Sequence, residues 1–556
     1  MARVWPVLVA LGISTAGIVG IGAQQPPRDA PVLAKGTASI HGRVTDADGR
    51  PLSRVEVRAG NGLGQQAAAL TDGDGKYNVN ELPAGVFTVV ATKANYVRSS
   101  WGEQRVEGPG KRITLADGQK LDDINIRLMR TGAITGRIVD EFGDPVTDVA
   151  VMAMRYQYVQ GSRRLMPSAR GGQTNDIGEF RLYGLTPGQY YVSATLRNNF
   201  NPIGTDTNDR TGYAPTFYPG TGNVAEAQRL TIAPGQSIAS INLTLLPITT
   251  SKISGTVIDS DGKPIPGTMV LTTPKASTQA INIFPTAVRP DGQFTITGLA
   301  PGEYVLRSGS PAGAADVAFA EVTVSGSDVS GVQLVMTKPS TIRGRIVFAE
   351  SATSAKPPKA TAIELGAVRE WAMAQQIRSP AKIKDDGTFE ISVPSGHVRL
   401  RAPQIPGGPT APPWRLSRVL FNDLDVGDAG IDVPAGAAIE NVVFEMTNHV
   451  YELSGRVTDA DGALVRDCFV IVFAQDPARW TVQTPWLIVG RPGADDLYRV
   501  RLLPGDYYAV AMSEVEQNAW TDPDFLSLAR EHATKVTIAE GDTKTLNLPL
   551  SPVPVF

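Results

Sequence analysis

One pattern occurs five times along this chain of 556 residues, at intervals the size of a domain. Each copy opens with a strand-like segment that contains a glycine, and these glycines are Gly42, Gly136, Gly255, Gly344 and Gly455. In four copies an acidic turn follows directly, as in "GRVTDADG". Neighbouring glycines lie 94, 119, 89 and 111 residues apart, which is too long for the unit of a solenoid. The pattern therefore predicts five domains of one design.

The second half of the pattern places an aromatic ring seven or eight residues before another glycine. In "NDIGEFRLYGLTPGQYYVSAT", Phe180 precedes Gly188, and Tyr190 follows it. The rings at the matching positions of the other copies are Tyr77, Phe294, Phe389 and Tyr498. Apolar residues alternate after each glycine, and a period of two indicates a strand with one face in a core. We therefore expect Phe180 and Tyr190 in a core, with Pro187-Gly188 as the corner between two strands.

These short strands, separated by turn residues, predict an all-β chain of five tandem Ig-like or prealbumin-like β-sandwich domains after an N-terminal signal peptide. Gly 56 and Pro 41 favour turns over long helices. Short helices are expected only at 368–377 and 522–532. The segments between the predicted domains are too short to act as flexible linkers, so we expect the domains to form a semi-rigid rod. The predicted boundaries are 1–23 for the signal peptide, 24–37 for a linker, and 38–130, 131–248, 249–338, 339–447 and 448–556 for the five sandwiches.

The repeated unit resembles the carboxypeptidase regulatory-like family, which is close in fold to transthyretin-like, starch-binding-like and Cna-B-type sandwiches. The resemblance rests on "GRVTDADGRPL" and "TDGDGKYNVNELPAGVFTVVATKANY" in the first copy and on their counterparts in the second, third and fifth. The fourth copy diverges, because "VFAESATSAKPPK" replaces the acidic turn and Ser395 stands where proline is usual. The resemblance implies the sandwich fold and a multi-module exported bacterial protein. It implies function only loosely, since a fold hosts many functions.

The first residues, "MARVWPVLVALGISTAGIVGIGAQQPP", have the composition of a secretory signal. Arg3 is followed by an uncharged apolar run and by a small-residue cleavage site after Ala23. We expect cleavage there, with an uncleaved anchor as the alternative, and no other membrane span. The destination is the periplasm, the cell surface or the extracellular space. A net charge of −3 without basic blocks argues against nucleic acid as a partner.

No catalytic arrangement stands out in the sequence. The four histidines include His449, which has zinc-ligand spacing to Glu452 in "HVYE", but they begin a predicted strand, where positions i and i+3 point to opposite faces. A single cysteine, Cys468, excludes an intrachain disulfide or a cysteine zinc site and is expected to be a buried, inert thiol. A G-x-S-x-G elbow is absent. The chain is therefore predicted to be non-catalytic, with a hydrolase or carboxypeptidase as the least favoured alternative.

The sequence also contains residues typical of calcium sites and of isopeptide bonds. The acidic turns, among them Asp46, Asp72, Asp259 and Asp459, have the oxygen ligands that calcium prefers, but Asp-Gly is also the ordinary residue pair of a hairpin turn. Asn125, Asn242, Asn547 and Lys252 are of the residue types that form isopeptide bonds in Cna-B-type domains, yet no convincing set of lysine, asparagine and acid occurs. No metal and no cofactor are predicted.

Aromatic residues outside the repeated strands are the candidate binding residues. Exposed rings can stack on the apolar faces of sugars. The candidates for carbohydrate binding are Tyr213, Phe217 and Tyr218 in the insert "RTGYAPTFYPGTGN", together with Trp371, Trp414, Trp480 and Trp486. The alternative is that these rings cover loops or pack between domains. The preferred function is a non-catalytic exported binding or structural protein with a polysaccharide partner; the alternative is a protein–protein adhesin or an accessory component of an envelope complex.

Overall fold

The computed structural model describes most of the chain. The described residues are 35–61, 66–103, 106–108, 110–159, 161–168, 171–196, 211–275, 284–309, 317–349, 357–369, 381–403, 405, 413–449, 451–482, 484–493 and 495–552. Nearly all of their regular structure is β-strand, with one α-helix, so the all-β prediction is confirmed. The described residues from 35 to 131 form one compact unit, and those from 132 to 552 form another. Modules 1 to 5 denote here the five predicted sandwiches; their number and their boundaries remain a prediction.

Module 1 consists of two sheets around one hydrophobic core. One sheet has the order β4-β1-β8, with β9 also paired to β1, and the other has the order β3-β2-β5-β6, with β7 paired to β5. The strands are β1 Ala38–Thr45, β2 Glu56–Gly60, β3 Gln66–Leu70, β4 Lys76–Leu82, β5 Gly85–Thr92, β6 Ser99–Ser100, β7 Ile113–Leu115, β8 Lys120–Leu121 and β9 Ile126–Arg127.

Module 2 repeats this plan and extends it. Its sheets have the orders β14-β10-β19 and β12-β11-β15-β17, and the aromatic insert adds a ribbon of β16 with β21. The strands are β10 Gly132–Val139, β11 Val149–Val159, β12 Ser162–Pro167, β13 Gly172–Gln173, β14 Glu179–Leu185, β15 Gly188–Leu196, β16 Thr211–Ala214, β17 Thr216–Phe217, β18 Leu230–Ile232, β19 Ser237–Ile238, β20 Leu243–Thr244 and β21 Leu246–Thr249.

Module 3 is the simplest version. Its sheets have the orders β25-β22-β28 and β24-β23-β26-β27. The strands are β22 Ser251–Ile258, β23 Met269–Pro274, β24 Phe284–Ala287, β25 Gln293–Leu299, β26 Gly302–Gly309, β27 Val317–Val324 and β28 Val329–Val335.

Module 4 has a large sheet, β31-β32-β29-β37-β34-β35, facing a small one, β30-β33-β36. The strands are β29 Ser340–Phe348, β30 Gly366–Arg369, β31 Lys382–Ile383, β32 Thr388–Val393, β33 Gly396–Arg401, β34 Arg415–Phe421, β35 Leu424–Asp425, β36 Ile431–Val433 and β37 Ala438–Thr447. The helix expected at 368–377 is wrong where it can be checked, because residues 368 and 369 belong to β30; residues 370–377 lie outside the described residues.

Module 5 has the sheets β42-β38-β45 and β39-β46-β43-β40-β41, with β44 on β43. Its elements are β38 Tyr451–Gly455, β39 Val457–Thr458, β40 Phe469–Ala474, β41 Leu487–Gly490, β42 Tyr498–Leu502, β43 Gly505–Met512, α1 Pro523–Ala529, β44 Thr534–Ile538, β45 Thr543–Thr545 and β46 Leu548–Ser551. The helix expected at 522–532 is thus α1, with the Asp522 side chain accepting a hydrogen bond from the Asp524 amide. Within the residues that the structure describes, no helix is long and apolar enough to cross a bilayer.

The repeated glycine and the repeated ring of the sequence pattern face each other in every module. The antiparallel register pairs Gly42 with Tyr77 and Gly136 with Phe180. The same pairing holds in modules 3, 4 and 5 for Gly255 with Phe294, Gly344 with Phe389 and Gly455 with Tyr498. On its other side the first strand runs parallel to the last strands of the module, as β1 does to β8 and β9. The glycine is therefore enclosed between the ring and a backbone.

This enclosure leaves no room for a side chain. A Cβ atom added at Gly42 would lie well inside 3.0 Å of the carbonyl oxygen of Ile124 and 3.0 Å from a ring atom of Tyr77. The corresponding carbonyl oxygens in modules 2 to 5 belong to Ile241, Val332, Val442 and Leu546, at equally forbidden distances from the added Cβ. The Tyr77 and Tyr498 hydroxyls donate to the same carbonyl oxygens, of Ile124 and Leu546, at 2.6 Å. A close backbone approach thus explains why the pattern requires glycine.

An asparagine completes this arrangement in modules 1, 2 and 5. The side-chain oxygens of Asn125, Asn242 and Asn547 accept hydrogen bonds from the backbone amides of Arg43, Arg137 and Arg456, at 2.8, 3.0 and 2.9 Å. Each of these arginines follows the enclosed glycine directly. The asparagine therefore bridges the point where the parallel pairing of the last strand is interrupted.

One contact in the unit 132–556 joins modules that are not neighbours in the chain. Tyr158 of module 2 is buried in a cluster of module 5 that includes Phe469, Trp480 and Phe525 of α1. A Cβ added at Gly161 would lie 2.8 Å from a methyl group of Val482. A rod whose modules touch only their chain neighbours does not account for this contact.

The enclosed glycine predicts a large difference between two Gly→Ala substitutions in module 1. Gly42→Ala forces a Cβ into the Ile124 carbonyl and is expected to lower the local free energy of opening by about 3 kcal/mol, as overpacking does. Gly73→Ala is the control, because a Cβ there meets nothing within 4 Å, and it should change stability by less than about 0.5 kcal/mol. Hydrogen exchange of β1 and β4 in the full chain measures both. Equal exchange in the two variants would contradict the explanation.

Candidate functional site

The three candidate rings of the insert lie at the edge of the module 2 core. Phe217 is buried and packs with Met154, Leu165 and Tyr191. Tyr213 and Tyr218 are half-buried against the core of the same module. The Tyr213 hydroxyl donates to a carboxylate oxygen of Glu141 at 2.7 Å, and this hydrogen bond is the main cause that raises the pKa of Tyr213 to about 12. Only Tyr213 and Tyr218 therefore keep part of a ring accessible.

The candidate tryptophans divide into buried and lining residues. Trp414 is 3% exposed and packs edge-on against Phe348 at a centroid distance of 5.1 Å. Trp480 is 7% exposed, and its indole donates to the Ala474 carbonyl at 2.7 Å. These two rings, like Phe217, present no face to a ligand, because their modules bury them. Trp486 is half-buried, whereas Trp371 lies outside the described residues.

Trp486 lines a cleft of about 1260 Å³ between modules 4 and 5. The Arg479 guanidinium lies 3.8 Å from the centroid of its ring, and Tyr507 packs at 6.2 Å. Neighbours therefore already use the faces of this indole. The other apolar lining includes Leu365, Ala367, Leu416, Leu487, Ile488 and Val489. Tyr213 and Tyr218 are not part of this cleft, so the structure does not bring the candidate rings together.

The cleft is lined by three strands, and each of them has one edge without a pairing strand where it faces the cleft. β30 and β41 are the end strands of their sheets. β34 pairs with β37 on one side. On the other side β35 pairs with Leu420 and Phe421, the Val426 amide donates to the Val419 carbonyl, and Ile405 pairs with Trp414 just before the strand. Among the described residues, the segments 366–367, 416–418 and 487–489 therefore carry an unpaired backbone edge where they line the cleft. Such edges are templates for the addition of another strand.

Two polar contacts hold modules 4 and 5 together beside the cleft. The Arg415 guanidinium donates through Nη1 to the Arg501 carbonyl at 3.1 Å. Arg479 Nε lies 3.6 Å from a carboxylate oxygen of Asp428. Burial raises the pKa of Asp428, and the Arg479 charge opposes this shift in part. Both contacts cross from one module to the other, so they stabilise the cleft itself.

The acidic turns use their first carboxylate to close the turn. One oxygen of Asp46 accepts the amides of Asp48 and Arg50, both at 2.9 Å. Asp72, Asp140, Asp259 and Asp459 do the same in their turns. Asn175, at the equivalent place in module 2, accepts two amides without a charge. The part of the chain that the structure describes contains no cluster of three metal-ligating residues, and this includes the neighbourhood of His449 and Glu452.

Cys468 is buried in the core of module 5, as expected from its sequence neighbours. Burial raises the pKa of its thiol to about 11. The thiolate, which is the reactive form, is therefore scarce near neutral pH.

No sequence pattern pointed to the residues that line the cleft. Arg415, Leu487 and Val489 lie in strand-like segments that resemble any other strand of the repeat, and the cleft exists only because two modules pack together. The sequence feature that could have indicated the cleft is the presence, in modules 4 and 5, of tryptophans outside the repeated pattern.

Comparison with known proteins identifies two of the modules. Residues 39–129 and 252–337 match the carboxypeptidase regulatory-like domain, which confirms the resemblance for modules 1 and 3. No curated protein matches the chain. Similar solved structures include a streptococcal ancillary pilin, with 13% identity over 54% of this chain and 98% of that chain and a TM-score of 0.19.

Two other pilins show the same degree of likeness. The minor pilin GBS52 of Streptococcus agalactiae is 15% identical over 38% of this chain and 96% of its own, with a TM-score of 0.21. The major pilin BcpA of Bacillus cereus is 12% identical over 54% of this chain and 99% of its own, with a TM-score of 0.16. TM-scores this low carry nothing about function.

The turn geometry predicts a pH dependence at Asp259. Hydrogen bonds from backbone amides, first that of Lys263, lower the pKa of this carboxyl. Its contribution to stability is therefore present above the pKa of an unfolded aspartate and is lost as the pH falls through the lower folded pKa. Asp259→Asn should keep the turn, as Asn175 does, but lose this dependence. Thermal unfolding of both proteins between neutral and acidic pH should show the wild type losing stability relative to the variant. Parallel curves would contradict the role.

Proposed function

We propose that this chain, whose modules 1 and 3 are carboxypeptidase regulatory-like domains, is a non-catalytic exported protein that binds an extended segment of a partner protein. The binding surface is the cleft between modules 4 and 5. The observation that carries the proposal is that three strands with one unpaired edge each, β30, β34 and β41, line the same cleft. An accessory component of an envelope complex or a protein–protein adhesin is the corresponding biological role.

Strand addition is the recognition mode that fits this surface. An incoming extended segment forms main-chain hydrogen bonds with an exposed edge, and pockets for alternate side chains supply specificity. The pairing of β41 supports this, because the Ala474 amide donates to the Trp486 carbonyl. Bonded pairs alternate along an antiparallel ladder, so the amides of Leu487 and Val489 point away from β40. These two residues line the cleft, where their amides are available to a partner strand.

The size and lining of the cleft favour a polymer segment over a small molecule. About 1260 Å³ exceeds the roughly 300–1,000 Å³ of ordinary small-molecule sites. The lining combines aliphatic side chains with arginines and carboxylates, such as Leu416, Val489, Arg501 and Glu452. A partner with alternating apolar and polar side chains is complementary to such walls.

Carbohydrate has less support as the ligand class. Stacking requires an open aromatic face, whereas Phe217, Trp414 and Trp480 are buried. Arg479 lies over the ring of Trp486. The carbohydrate hypothesis therefore depends on Tyr213 and Tyr218, which lie in module 2, and on Trp371.

The proposal predicts that filling the cleft abolishes binding. Gly366 lines the cleft, and a Cβ added there meets nothing within 4 Å, so Gly366→Trp adds a ring at a position where the first side-chain atom is unobstructed. The full chain is expected to select extended heptapeptides with alternating apolar residues from a displayed random library. Gly366→Trp should weaken their binding by about tenfold or more, which corresponds to ~1.4 kcal/mol.

The matched control is Gly73→Trp in module 1, where a Cβ also has open space; this variant should bind as the wild type does. A glycan array is run beside the library. The proposal fails if no peptide is selected, if Gly366→Trp binds the selected peptides normally, or if the chain binds a polysaccharide through module 2 instead.

A further inference from the structure

Arg415 lines the cleft and forms no ion pair with any described residue. It opens β34 on the cleft wall, and Nη1 donates to the Arg501 carbonyl at 3.1 Å. The Nε atom is buried and makes no hydrogen bond to any residue that the structure describes. Burial lowers the pKa of Arg415, the nearby Arg501 charge lowers it further, and Tyr507 acts in the opposite direction. Among the described residues, no carboxylate is a cause of this pKa shift.

The neighbouring arginines are paired. Arg418 lies 2.9 Å from Glu445, and Arg499 lies 2.5 Å from Asp495 and 3.8 Å from Glu452. Asp428 pairs with Arg479 beside the cleft and also interacts electrostatically with Arg401 on the cleft wall. Within the described residues no ion pair involves Arg415 or Arg501. The uncompensated positive charge of the cleft is therefore concentrated at these two residues.

Glu364 on the cleft wall is exposed to solvent, and the other acidic residues of the lining interact with groups other than Arg415. One oxygen of Asp425 accepts the Gly427 amide at 3.0 Å. Asp428 interacts with Arg479 and accepts a hydrogen bond from Trp486. Glu452 faces Arg499. Leaving a guanidinium partly buried without an anion is costly, because its charge has lost solvation that nothing replaces.

We propose that the partner segment carries a carboxylate side chain, aspartate or glutamate, which binds to the Arg415 guanidinium with Arg501 beside it. This inference rests on the proposed function, since it specifies what the bound segment contains. A guanidinium forms a planar fork of donors that matches the two oxygens of a carboxylate. Nε of Arg415 supplies a donor that the protein itself leaves unused. The segment is thus an extended strand with an acidic residue between apolar ones.

Two synthetic peptide libraries test this directly. Both have the form acetyl-X-Val-X-Z-X-Val-X-amide, with Z fixed as Glu in one and as Gln in the other, so that they differ in one charge and not in shape. Binding to the full chain is measured by fluorescence polarisation. The Glu library should bind about tenfold more tightly, which is the effect of a hydrogen bond to a charged group.

Variants at Arg415 test whether this residue causes the preference for the Glu library. Arg415→Met should bind both libraries equally. Arg415→Lys, which keeps the charge but not the fork, should retain only part of the preference. Arg418→Gln is the matched control from the same strand; it should keep the full preference because Arg418 already pairs with Glu445. The wild-type comparison alone remains decisive if a variant fails to fold.

The outcomes separate this inference from the proposed function. The wild type could bind the Glu and Gln libraries equally, with Gly366→Trp weakening both. This result would overturn the inference that the partner carries a carboxylate, but it would still support strand addition in the cleft. A preference for Glu that persists in Arg415→Met overturns the assignment to Arg415. Absence of binding by either library overturns the proposed function and the inference with it.

Discussion

The close approach of a backbone carbonyl to an enclosed glycine is the constraint on which each module depends. The first strand of every module lies in the middle of its sheet, between an antiparallel strand that carries the ring and the parallel last strand. At the glycine, the ring covers the exposed backbone from one side and the carbonyl approaches from the other. In modules 1 and 5 a tyrosine hydroxyl also satisfies that carbonyl. One position thus couples the first, middle and last strands of the sandwich.

This coupling explains how much of the fold was predictable. A period of two and a ring at fixed spacing from a glycine report which face of a strand is buried within its own module. Phe180 and Tyr190 are accordingly 4% and 0% exposed, and the Tyr190 hydroxyl donates to the Thr186 carbonyl just before the Pro-Gly corner. The role of Asn125 was not predictable, because an amide that accepts a backbone N–H looks like any other polar strand residue.

The candidate site was much less predictable, for a physical reason. A tryptophan in a connection has the same sequence signature whether it is exposed or covered by another element. Trp480 is covered by a cluster to which Tyr158 of module 2 and Phe525 of α1 contribute, and neither lies near it in sequence. The cleft is likewise a property of how modules 4 and 5 pack, since its walls combine β30 and β34 with β41. Contacts between modules produce no periodic pattern in the sequence, so they could not be predicted from it.

Hydrogen exchange tests most directly the claim that packed modules create the binding surface. Amide exchange of the full chain is measured alone and with a bound heptapeptide selected from the library. The account predicts that protection increases in β30, β34 and β41, and most at the outward amides of Leu487 and Val489. Protection that appears instead in the insert around Tyr213 and Tyr218, with the cleft strands unchanged, would contradict it.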